Sequence, residues 1–178
     1  MGKIFNLESV VLNWPSIFTA QGSKKFPNNA PKFSVSCVIE ANSPNHHALV
    51  NAMNEVAAEN FPDGGCNFPE LKPSADGKTV EVRASASADN PPGVLDGQKN
   101  EILQPGEIYS GVVANVAVDV YATTTYNRVC IGLLGVQKVA DGPRMDNRPD
   151  PTELFKPINV VNTIQPQPGA PTVGKLLG

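Results

Sequence analysis

Three tyrosines and a few cations are the side chains whose spacing here suggests chemistry. Across residues 107–139, EIYSGVVANVAVDVYATTTYNRVCIGLLGVQKV, every second residue falls into one of two sets. Ile108, Val112, Ala114, Val116, Val118 and Val120 form one set, and Tyr109, Asn115, Asp119 and Tyr121 the other. A period of two belongs to a strand with one buried face. With Lys32, Arg83, Tyr126 and Arg128 from neighbouring segments, the second face carries planar rings and positive charge with little aliphatic bulk. Exposed bases stack on aromatic rings for about 1–3 kcal/mol each, while Arg and Lys follow phosphates, so this face suits an unpaired nucleic-acid strand. Tyrosine is also a favoured strand residue, and ordinary half-buried packing accounts equally well for any single ring. Tyr109 and Tyr121 would stand at opposite ends of a straight strand at about 3.3 Å per residue, so one lines a groove and the other its rim only if the strand bends.

Other chemistries fit poorly. His46-His47 is the only histidine pair and has no cysteine or carboxylate at ligand spacing on its helical face, so it reads as a solvated first turn and no metal is expected. Neither a phosphate-cradling Gly-rich Lys loop nor a nucleophile elbow is present. Asp119 reads as the only carboxylate on the proposed groove face, too few for a two-metal nuclease. No cofactor is implied, and an enzyme is not expected.

The 178 residues fit one domain, with 17 prolines and 15 glycines favouring short strands and long connections. A net charge of −3 argues against coating nucleic acid by bulk charge but leaves room for a local basic groove. Cys37, Cys66 and Cys130 form an odd set without a close pair, and no leader or membrane-spanning run is read, so a soluble protein of a reducing cytoplasm is expected. A homo-oligomer is left open.

Strand one is read over 5–14, FNLESVVLNW, stopped by Pro15, which lacks a ladder donor. Residues 16–31 read as an exposed loop, whose Lys24 and Lys25 are either solvated or close over a bound strand. In strand two Phe33, Val35, Cys37 and Ile39 face inward. A helix starts near Ser43 or Asn45, with Pro44 in the first turn and Leu49, Met53, Val56, Ala57 and Phe61 as its buried stripe. Strand three, TVEVRASASA, buries Val80, Val82, Ala84, Ala86 and Ala88, and two further strands form a hairpin across TTTYN at 123–127. Gly132 and Gly135 would allow a bend or bulge in the last strand.

Five strands with one helix cannot make a doubly wound parallel sheet. The expected architecture is mainly β: a five-stranded antiparallel OB-fold barrel with one helix, long loops and a flexible C-terminal tail. The domain spans 1–155 and the Pro-rich, loosely ordered tail 156–178. A split sandwich is the structural alternative.

The segments VVLNWPSIF, KFSVSCVI, YSGVVANVAVDVYA and GLLGVQKVADGPR resemble the phage family of OB-fold single-stranded DNA-binding proteins known from an Enterobacter phage, over about residues 5–150. The resemblance implies non-sequence-specific binding of single-stranded DNA in phage replication or recombination, in the host cell, with phage or host replication proteins as further partners. It implies binding roles for Tyr109 and Tyr121, and phosphate contacts from Lys138 and Arg144. Trp14 and Phe18 serve either the core or the binding side, with packing the preferred role for Trp14. Podophage relatives carry an acidic tail, whereas no Asp or Glu follows Glu153 here. A β-sandwich virion or assembly protein with a Pro-rich arm is the alternative of a different class.

Overall fold

The computed structural model describes residues 2–145 and 154–158. Its strands are β1 (Lys3–Gln21), β2 (Lys32–Glu40), β3 (Leu71–Pro73), β4 (Thr79–Ser87), β5 (Gly93–Leu95), β6 (Val113–Thr123) and β7 (Arg128–Ala140). Helix α1 covers Pro44–Asn60, and a short 3-10 turn covers Pro105–Glu107. Contacts divide the chain at Arg148/Pro149. The first unit holds all the elements just named. In the second, Leu154 to Ile158 are exposed, and the expected tail beyond Ile158 lies outside the described residues.

The barrel follows from alternation. Phe33, Val35, Cys37 and Ile39 of β2, Val80, Val82 and Ala84 of β4, Ala114, Val116, Val118 and Val120 of β6, and Val129, Ile131 and Leu133 of β7 are all buried. Each Val, Ile, Leu or Phe among them contributes about 1.5–3 kcal/mol when fully removed from water. Ala86 packs at the margin of this core, and Ala88, expected inside, is exposed. Burial pushes the Cys37 thiol up to about 12, which keeps it a neutral core group.

Antiparallel pairs run β2–β1, β1–β6, β6–β7 and β2–β4. One parallel contact, Ser85 with Gly132, closes β4 onto β7. The closed five-stranded barrel with one helix is the expected fold, with a parallel seam that the antiparallel reading did not include. β3 and β5 add short ribbons on β4 and β7. In the β6–β7 ladder Ala117 faces Gly135 and Val118 faces Leu133, so Leu134 is an extra residue between the two glycines, the expected bulge. At Gly135 a Cβ would lie 3.2 Å from the carbonyl oxygen of Gly93, so a larger residue would press on β5.

Ser43 is the helix N-cap, its side chain accepting from the His46 N–H, with Pro44 at the start. Leu49, Ala52, Met53 and Val56 are buried, while Ala57 and Phe61 pack at the edge of the core. Asn45 instead ties the helix to β1, accepting from the Glu8 N–H at 2.9 Å and donating to its carbonyl at 2.7 Å.

Pro15 does not stop strand one. The ladder to β2 shifts register between Asn13 and Ser16 and again before Gln21, so the strand continues and the proline sits in a bulge, where its missing donor costs nothing. Trp14 there has φ of 49°, and its backbone N–H donates to Oγ of buried Ser110 at 2.9 Å. Leu12 and Ile17 are both buried although five positions apart, so the alternation changes phase between them. That phase change overturns the packing role for Trp14, which is 66% exposed. Phe18 remains half-buried against the core.

Candidate nucleic-acid interface

The strand faces opposite the core build a groove. Past its bulge, β1 ends at Gln21 and the exposed loop 22–31 carries Lys24, Lys25 and Phe26. This loop and the strands β2 and β4 bound an open groove of about 740 Å³, lined by Lys32, Lys72, Arg83 and Arg128 with Trp14 and Phe26. Ser34, Ser36 and Ser85 also line it, leaving room for a flat ligand. Phe26 is 55% exposed, with the Lys25 ammonium 5.5 Å from its ring centre.

Tyr126 lies in the β6–β7 turn and Arg128 opens β7. The Arg128 guanidinium lies 4.9 Å from the Tyr126 ring centre, a cation–π contact that aims the cation while the tyrosine stays largely exposed. Tyr121, on the outer face of β6, is partly exposed, and burial raises its hydroxyl pKa, with smaller contributions from Cys130, Glu70 and Asp119.

Tyr109 is placed otherwise than the alternation suggests. It precedes β6, and its hydroxyl donates toward the Gly142 carbonyl at 3.0 Å or Asp141 Oδ1 at 3.2 Å. The Arg144 guanidinium stands 4.8 Å from its ring centre. Tyr109 and Arg144 line a second hollow of about 540 Å³ with Trp14, Pro15 and Ser16. Trp14 and Ser16 line both hollows, so the exposed indole marks their junction. Lys138 borders neither: its ammonium pairs with Asp141 Oδ1 at 2.8 Å and is mostly buried. Lys138 first, and the Tyr109 hydroxyl after it, hold the Asp141 carboxyl below its ordinary range.

Lys32, Arg83 and Arg128 are thus brought together, Tyr109 and Arg144 form a second group, and Tyr121 and Tyr126 flank the first. The sequence reading left Trp14 between the core and the binding side, with packing preferred, and missed Phe26, Lys72 and two acids as groove residues. Asp119 is not the carboxylate of the groove: it packs against Gly2, where any side chain would run into it, and its Oδ1 is buried without a hydrogen-bond partner among the described residues. Glu70 and Glu81 line the groove instead. Burial raises the Glu70 pKa, opposed by the nearby charges of Arg83, Lys32 and Arg128. No group of three metal-ligating side chains occurs among the described residues.

A groove across β2 and β4, between the β1–β2 loop and the β6–β7 turn, defines an OB-fold protein with the ligand face that class uses for extended polymers. The profile of the family described as Enterobacter phage Enc34, ssDNA-binding protein, matches residues 3–164, and the chain belongs to that family. Among solved structures, the single-stranded DNA-binding protein of bacteriophage Enc34 in complex with ssDNA aligns with a TM-score of 0.64 at 17% identity, over 80% of this chain and 89% of that one. A second structure of the same phage protein gives 0.62 at 18% identity, over 86% and 90%. The gp2.5 single-stranded DNA-binding protein of bacteriophage T7 gives 0.55 at 16%, over 83% and 97%. No curated protein matches the chain.

Proposed function

We propose that this chain binds single-stranded DNA without reading a sequence, in phage replication or recombination inside the host cell, as a binding module and not a catalyst. The observation that carries the reading is the junction at Trp14: an exposed indole between a hollow holding Lys32, Arg83 and Arg128 and another holding Arg144. Bases stack on Trp14, Phe26, Tyr121 and Tyr126, while Lys32, Lys72, Arg83, Arg128 and Arg144 follow the phosphates. Tyr109 serves as the seat of Arg144, with its hydroxyl already engaged. Family membership supports the same ligand, since the family is described as ssDNA-binding. The assembly-protein alternative has no support in the groove.

Anisotropy of labelled oligo-dT and of a duplex of equal length, titrated with the full chain at rising salt, tests this. The expected result is tighter binding of the single strand and steep weakening with salt. Equal affinity for both, or a flat salt response, counts against it.

A further inference from the structure

A groove built only to hold phosphates has no use for a carboxylate, yet Glu70 stands in it. Its backbone is fixed from both sides of the barrel seam. The Arg83 N–H of β4 donates to the Glu70 carbonyl at 2.9 Å, and three residues earlier Asn67 exchanges backbone hydrogen bonds of 2.8 and 2.9 Å with the start of β7. It lines the groove, within electrostatic reach of Lys32, Arg83 and Arg128 and of the Tyr121 hydroxyl. Among the described residues it makes no ion pair and no side-chain hydrogen bond.

We infer that Glu70 reads a base, giving the groove one subsite that prefers guanine; this rests on the reading that the groove holds single-stranded DNA. A phosphate is repelled there, so the backbone keeps to the cations and base edges turn toward the carboxylate. An unpaired guanine offers two adjacent donors, N1–H and the N2 amino group, which match the two oxygens of a carboxylate. Thymine offers one N–H between two carbonyls, and adenine and cytosine each set a ring-nitrogen acceptor beside their amino group, so all three meet repulsion at one oxygen. A base stacked near Tyr121 presents that edge where Glu70 stands. The chain then binds any sequence but lingers on guanine.

The test is competition against labelled oligo-dT, using unlabelled thymine oligomers that carry isolated guanines, or inosine, adenine or cytosine at the same positions. Isolated guanines cannot form quadruplexes, and inosine removes only the N2 amino donor. The guanine oligomer should compete about three- to tenfold better than all-thymine, with inosine between them, as one charge-assisted hydrogen-bond pair implies. In Glu70→Gln the guanine advantage should collapse while all-thymine binding tightens through loss of a negative charge. Equal competition by guanine and thymine in the wild type, an inosine effect no smaller than guanine's, or a preference surviving in Glu70→Gln overturns the inference even though dT binds. If labelled oligo-dT itself does not bind, the proposed function fails and the inference falls with it.

Discussion

The backbone N–H of Trp14 donates to the hydroxyl of Ser110, 96 residues away in sequence, at 2.9 Å. Trp14 has a positive φ, a conformation uncommon for a bulky residue, and Ser110 is buried. One buried hydroxyl thus fixes a strained turn of β1 onto the entry to β6, and the turn places the indole outside the barrel. Ser110→Ala should leave the Trp14 N–H unsatisfied and lower stability by about 1–3 kcal/mol, measured by urea unfolding. It should also weaken single-strand binding, because the indole loses its orientation.

Gly111, next to Ser110, has φ of 117°, and a Cβ there would run into the carbonyl oxygen of Pro143. Backbone cannot yield as a flexible side chain can. Gly111→Ala should destabilise the fold by about 3 kcal/mol or more and disturb the hollow of Tyr109 and Arg144, visible as a drop in melting temperature.

Phosphate contacts set the salt slope. Each of Arg83→Ala and Arg128→Ala should weaken binding to any sequence and reduce the slope of log affinity against log salt by about 0.7. Lys138→Met should change that slope less, since its ammonium is already held by Asp141. Its cost should appear in stability instead, at about 0.5 kcal/mol for a pair whose acid is mostly exposed.

Acidification should strengthen DNA binding. The folded-state pKa of Glu70 is raised, chiefly by burial, so its carboxyl takes up a proton above the ordinary value of 4.5 and the groove becomes more positive. The same sign holds for stability: the folded chain binds this proton more tightly than the unfolded chain, so the Glu70 contribution rises as pH falls through the folded pKa. Asp141 acts oppositely, contributing above its unfolded value of 3.8 and losing that contribution as pH falls through its lowered folded pKa. Affinity for oligo-dT measured between pH 7 and 5 should rise more in the wild type than in Glu70→Gln.

Much of the barrel was legible because its strands keep strict alternation: the inward residues of β2, β6 and the first half of β7 are buried as their spacing implies. The groove was legible where it uses the outward positions of β2, β4 and β7, as at Lys32, Arg83 and Arg128. Trp14 was not, because period-two counting from Leu12 puts it inside, and the bulge that reverses the phase depends on Ser110, far along the chain. Glu70 and Phe26 lie outside the long strands, where no periodicity assigns a face. The Ser85–Gly132 seam is one contact between distant segments and leaves no local pattern.

Because the chain contains a single tryptophan, intrinsic emission reports on the junction of the two hollows without a label. Titrating the full chain with oligo-dT at low salt should quench that emission saturably, and added salt should reverse the quench. Saturable binding detected by anisotropy with Trp14 emission unchanged would contradict the placement of the bound strand.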